Sequence, residues 1–258
     1  MSYQGTYNRP PLVLHGRHPP QLDQNICDIL NNFLMHPGLL RATVFSLNSL
    51  RPIVGRPESA ERYNSDGAFL RDFWRAFLKL VIQVPATLRS QADIVYMLKQ
   101  LEAYRHSEVE HEFWNNLNQL QPCIDEIWRE PTSGGTTEKY QRWVNLNSFA
   151  SRLYGIELIH CGSLGIRALQ HAFELTLSED NKLNECRVEA AAQWLIHTNG
   201  YLHAILRHND SWMQRWATWK ASFHYYADWS GSNSTTRSMA GQALWAMNRD
   251  EEGLPARR

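Results

Sequence analysis

His197 and Tyr201 stand four residues apart, in line with Trp194, along one face of a helical segment; Asn147 stands in line with Trp143, Ala150 and Tyr154 on another. An imidazole and a phenol at this spacing can act as general acid and base. An amide among indole and phenol rings can orient a ligand in a largely apolar pocket. His197 and Tyr201 are therefore expected as catalytic residues. Trp143, Asn147, Tyr154 and Trp194 are expected as the walls of an aromatic pocket for a hydrophobic small molecule. A plainer reading stands beside this one. A buried imidazole or amide left without partners costs about 1 to 3 kcal/mol, so hydrogen bonds between helices would account for the same residues.

Three other patterns carry chemistry and weigh less. Glu108 with His111 and Glu157 with His160 repeat the Glu-x-x-His spacing of di-iron bundles. Pairs of this kind arise by chance in a chain with 11 histidines, so no metal and no cofactor is expected. Cys161-Gly162-Ser163 lacks the second cysteine and the following aromatic residue of papain-like sites, and no strand precedes it as a nucleophile elbow requires. Lys220, His224 and Asp228 follow one another at one-turn intervals, an arrangement open to an acid-base dyad and better suited to surface ion pairing.

The elements that must position these groups are helices. Trp212, Trp216, Trp219 and Phe223 recur at intervals of four, three and four and form one aromatic stripe, which is expected to be buried. The helix from about Lys182 has two apolar faces and belongs in the middle of its domain, with Gly200 bending or ending it. Further helices are expected from Ile26 to Leu34, from the cap at Ser65, from a capping box at Ser90 and Asp93, from Glu138 to Tyr154, from Leu164 to Leu177, and after the polar run Ser230 to Thr236. No alternating strand is flanked by hairpin turns. The expected fold is all-α, an orthogonal or antiparallel bundle of 7 to 9 helices without significant sheet.

Residues 1–20 read as a disordered proline-rich arm, 21–248 as one helical domain with a break at 131–137, and 249–258 as a frayed tail. The 26 basic and 26 acidic residues cancel, which leaves no field to gather nucleic acid. No apolar run approaches the roughly 20 residues of a membrane helix, and residues 1–20 lack the apolar core of a secretory signal. The four scattered cysteines show neither zinc spacing nor a disulfide framework, so a cytoplasmic location is expected.

The runs Trp143 to Leu153, Ala190 to Ile196, Trp212 to Phe223 and Ala243 to Met247 are similar to a family of fungal proteins catalogued as a domain of unknown function. The resemblance covers roughly the last 120 residues well, and the first half only as a general helical pattern. It implies a fungal, intracellular, helical protein and no particular reaction. Ten tryptophans exceed what helix packing alone requires, and they favour a small-molecule-binding protein, such as a cofactor-free secondary-metabolism enzyme of cyclisation or isomerisation type. The alternative is a non-catalytic protein-protein interaction module, a scaffold or a homodimer.

Overall fold

The structure is a computed structural model and describes residues 10–52, 65–104 and 113–253, the side chain of Asn116 excepted. It is all-α: 72% of the described residues are helical, most of them in eleven α-helices, and the described residues contain no strand. The surplus over seven to nine consists of short helices, such as Leu40–Asn48 and Tyr201–Leu206, whose few turns carry too little periodicity to stand out in sequence. Among the described residues no helix is long and apolar enough to cross a membrane. The chain divides into two compact units. One comprises residues up to Val84 with Leu88–Ile124, and the other comprises Pro85–Thr87 with Asp125 onward.

The first unit is built on α1 (Gln21–Met35), α2 (Leu40–Asn48), α3 (Asp66–Val81) and α4 (Arg89–Glu102), and α5 (Leu120–Ile127) begins in it. Ser65 caps α3 by accepting the Ala68 N–H, as its side chain predicts. The expected capping box is absent. Helix α4 starts at Arg89 with Leu88 at the cap, so Ser90 lies inside the helix, buried. The core of the unit is aromatic: Phe73 meets Trp74 edge-on with centroids 4.9 Å apart and lies 5.1 Å from Trp114. Each indole N–H finds an acceptor, Trp74 at the Asn118 carbonyl (2.6 Å) and Trp114 at Asn48 Oδ1 (2.8 Å). Within the segment 1–20, residues 1–9 lie outside the described residues. Leu12 is buried, and its N–H donates to Asn31 Oδ1 at 2.7 Å.

The second unit holds α6 (Thr137–Gly155), α7 (Gly162–Phe173), α8 (Asn181–His197), α9 (Tyr201–Leu206), α10 (Asp210–Asp228) and α11 (Ser234–Glu251). Thr136, Asp180, Asn209 and Asn233 cap α6, α8, α10 and α11 with side-chain oxygens, each the short polar residue that the N-terminus of a helix requires. The last of these caps starts α11 inside the polar run 230–236, so the helix begins before the run ends. The helix continues to Glu251, past the point where fraying was expected. Helix α7 ends at Phe173 rather than Leu177, because Glu174 to Ser178 turns toward the Asp180 cap. The segment 131–137 is a turn inside this unit that leads into α6; Gly134 has a φ of +74°, and its N–H donates to Asp180.

Helix α8 is the centre of the unit and packs against α6, α7 and α11, which is why it is apolar on more than one face. The aromatic stripe of α10 is covered by α11 and α7: Trp216, Trp219 and Phe223 are buried, while Trp212 at the helix start is half-buried beneath the Arg215 guanidinium, 4.1 Å from its ring centre. The buried indoles donate outward to charged acceptors, Trp216 to Glu251 (2.8 Å) and Trp219 to Glu174 (2.9 Å).

Candidate functional site

The residues expected to line a pocket fall into two groups. Asn147, wholly buried on α6, accepts indole N–H donors from Trp128 (3.0 Å) and Trp194 (2.8 Å) at one oxygen, and its amide donates to the Trp143 carbonyl at 2.9 Å. Indole nitrogens only donate, so the atom they share is the oxygen, and the amide orientation follows. Trp128 and Trp143 pack with centroids 5.7 Å apart, and the Trp143 indole N–H is buried without an acceptor. Asn147, Trp143 and Trp194 thus form a closed hydrogen-bonded node of the core, the plainer of the two readings.

Tyr154 and Tyr201 lie together at the edge of this node with ring centres 6.1 Å apart, and Tyr154 also flanks Trp194 at 6.3 Å. Tyr201 is 36% exposed; hydrogen bonding to Glu157, then burial, raises its phenol above the ordinary value. His197 and Tyr201 do not share a helix. Helix α8 ends at His197, Asn199 and Gly200 take positive φ values of +51° and +83°, and α9 starts anew at Tyr201, so the four-residue spacing loses its one-face meaning. The Asn199 amide donates to the Gly155 carbonyl at 3.0 Å and ties the two helix ends together. At Gly155 a methyl group would sit 1.9 Å from the His197 carbonyl oxygen, so only glycine lets α6 and α8 close this tightly.

That closure places His197 in a cleft of about 390 Å³. Arg152 of α6, Gln193 and His197 of α8, Ser238 and Gln242 of α11, and the segment Ala86-Thr87 form its walls. The segment is stitched to α6: the Ala86 N–H donates to Asn145 Oδ1 at 2.9 Å, and Arg152 donates to the Ala86 carbonyl at 3.4 Å. Gln193 is oriented by donating to Met239 Sδ at 3.2 Å, which turns its oxygen toward His197 Nε2 at 3.2 Å. Among the described residues, Arg152 and His197 are the only ionisable groups lining the cleft. Burial pulls the Arg152 guanidinium down to about 10, so it stays charged at neutral pH. Burial, and next the charge of Arg152, hold the His197 imidazole well below its ordinary value, so it is neutral there. Arg152, Gln193 and Ser238 were not singled out in the sequence. An arginine one turn before Gly155 in an otherwise buried helix was the signal available for the first of them.

The remaining motifs place as follows. Glu108 and His111 lie outside the described residues. Glu157 and His160 are exposed and sit in the turn between α6 and α7, where Glu157 has a φ of +62°, so they lack the helical register a Glu-x-x-His ligand pair needs. No group of three or more metal-ligating side chains occurs among the described residues. Cys161 is buried at the cap of α7, and burial pushes its thiol up to about 12, so it is a packing residue rather than a thiolate nucleophile. Lys220 pairs with Glu251 at 2.5 Å, while His224 and Asp228 are exposed on α10.

No curated protein and no solved structure matches this chain. A family model described as "Protein of unknown function (DUF3632)" matches residues 74–223. The match begins in α3, upstream of the runs that carry the resemblance, and ends at Phe223, so it takes in Arg152, Gln193 and His197 together with the helices that position them. The chain belongs to this family.

Proposed function

We propose that the chain is a small-molecule-binding protein whose site is the polar cleft of the second unit. The observation that supports this is the arrangement of the cleft itself. Helices α6 and α8 bring a charged guanidinium and a neutral imidazole to one concavity, which α11 and the segment Ala86-Thr87 complete, and Gln193 fixes the imidazole by its ring nitrogen. The ligand this favours is polar, because Trp143 and Trp194 face Asn147 in the core and do not line the cleft. If the protein turns its ligand over, His197 is the acid-base group, neutral and able to accept a proton. All four cysteines are buried thiols outside any disulfide, which supports a reducing, cytoplasmic setting.

Native mass spectrometry of the purified chain tests the reading. A small molecule should accompany the wild-type protein, or one from a metabolite panel should raise its melting temperature. Ser238→Trp, at an exposed position on the cleft wall, should abolish either effect without unfolding the chain. Ligand binding undiminished by that substitution would remove the cleft from consideration. The alternative, a protein-protein interaction module, draws support from the first unit, where Phe45 (57% exposed) and Tyr96 (54% exposed) border a groove between α2 and α4.

A further inference from the structure

We propose that the cleft binds an oxyanion, a carboxylate or phosphate monoester carried by a small polar molecule, and that Arg152 is the residue that holds it. This rests on the reading of the cleft as a small-molecule site and names the chemistry of its ligand. The contrast with three other arginines of the unit carries it. Arg187 meets Glu130, Arg215 meets Glu174 and Arg249 meets Asp250, so each of those guanidinium groups is neutralised by a carboxylate. Arg152 is not. Its Nε donates to Ser148 Oγ and a terminal nitrogen donates to the Ala86 carbonyl, both at a long 3.4 Å, and no acidic side chain among the described residues pairs with it. A charge withdrawn from water without a partner is costly, and a guanidinium fork is shaped to return that cost by holding two oxygens at once.

The surroundings fit an anion and not a cation. No carboxylate of the described residues lines the cleft; the hydroxyls of Ser234, Thr235 and Ser238 stand on its α11 wall as hydrogen-bond donors. His197 completes the set. Its Nε2 faces the Gln193 oxygen and therefore carries a hydrogen, which leaves Nδ1 as an acceptor while the ring is neutral and as a second positive donor once it is protonated. The groups that face it are Arg152 from α6, uncharged Gln193 on its own helix, uncharged Ser238, Met239 and Gln242 from α11, and uncharged Ala86 and Thr87. An oxyanion on Arg152 offsets the lesser of the two causes that hold the imidazole neutral, the guanidinium charge, and adds an attraction for a ring proton, so binding should shift His197 toward protonation while burial still opposes it.

Calorimetric titration with inorganic phosphate and with acetate at constant ionic strength, chloride serving as control, tests this. Wild type should bind one of the two, more tightly at pH 6 than at pH 8, and Arg152→Met should weaken that binding by at least about tenfold. Saturation by neither probe, or a wild-type response that Arg152→Met leaves intact, overturns the proposal and makes Arg152 a tie for the Ala86 carbonyl. Should Arg152→Met fail to fold, the His197 ring proton decides: its titration should move to higher pH when phosphate is present, and an unmoved titration overturns the assignment. The two readings fail separately. A ligand whose binding is lost in Ser238→Trp but kept in Arg152→Met leaves the cleft standing and removes the oxyanion.

Discussion

Asn147 shows how far a single side chain can commit a core. Its oxygen takes two indole N–H groups, and its amide returns one hydrogen bond to its own helix. Removing it strands both donors away from water at about 1 to 3 kcal/mol each. Asn147→Leu, close in size but unable to accept, should therefore destabilise the chain by roughly 2 to 5 kcal/mol in urea denaturation. Its melting curve should tell a structural node from a ligand contact: a stability loss below about 0.5 kcal/mol, with ligand binding gone, would return Asn147 to the pocket. The sequence revealed that Asn147 and His197 lie among apolar neighbours and must be satisfied. It did not reveal which one reaches a cleft, because that depends on where α8 stops. The decisive residue is Gly200, whose positive φ starts a new helix and parts Tyr201 from His197, and a glycine there signals an ending and a bend equally.

At the scale of elements, the long helices were legible because they have both signals, an apolar periodicity and a capping residue. Ser65, Thr136 and Asn233 illustrate the second signal, although only Ser65 was recognised as a cap beforehand. The short helices and the end of α7 were not legible, since a helix of six to nine residues is held by its neighbours more than by its own pattern. The aromatic stripe of α10 gives the clearest element-level test. Trp216 is buried between α10 and α11, 5.0 Å from His203, and donates to Glu251, so Trp216→Ala should cost about 3 to 5 kcal/mol in chemical denaturation. The half-buried Trp212 should tolerate alanine far better, and equal losses at the two positions would mean the stripe is not seated as described. Gly155→Ala tests the α6–α8 closure. The added methyl meets backbone rather than a side chain that can swing away, so the two helix ends must part; the His197 imidazole should then gain solvent and titrate closer to its ordinary value in NMR.

Across the whole molecule, 26 positive and 26 negative charges leave little net field, and the pH dependence of stability is set by a few local environments. In the second unit Glu130 receives Arg187 and a His171 nitrogen 3.3 Å away; burial pushes its carboxyl up, but these partners outweigh burial and hold it below the ordinary value. Its contribution to stability is whole above pH 4.5 and is lost as pH falls through its lower folded value. His197 acts earlier and with the same sign. The unfolded chain takes up a proton near pH 6.5 while the half-buried ring stays neutral, so stability declines as pH falls below 6.5. Glu189, Asp125 and Asp250 oppose both, since burial raises them and they favour the folded state as they gain protons. The net curve therefore mixes signs, and paired variants separate them. His197→Gln keeps a hydrogen-bonding group beside Gln193 and removes the titration, so the stability gap between wild type and this variant should shift against wild type as pH drops from 7 toward 5. Glu130→Gln should show its gap closing only below pH 4.5. A His197→Gln gap that stays constant across pH 5 to 7 would mean that the imidazole titrates alike in the folded and unfolded chain, and with it would go the neutral histidine on which any acid-base role of the cleft depends.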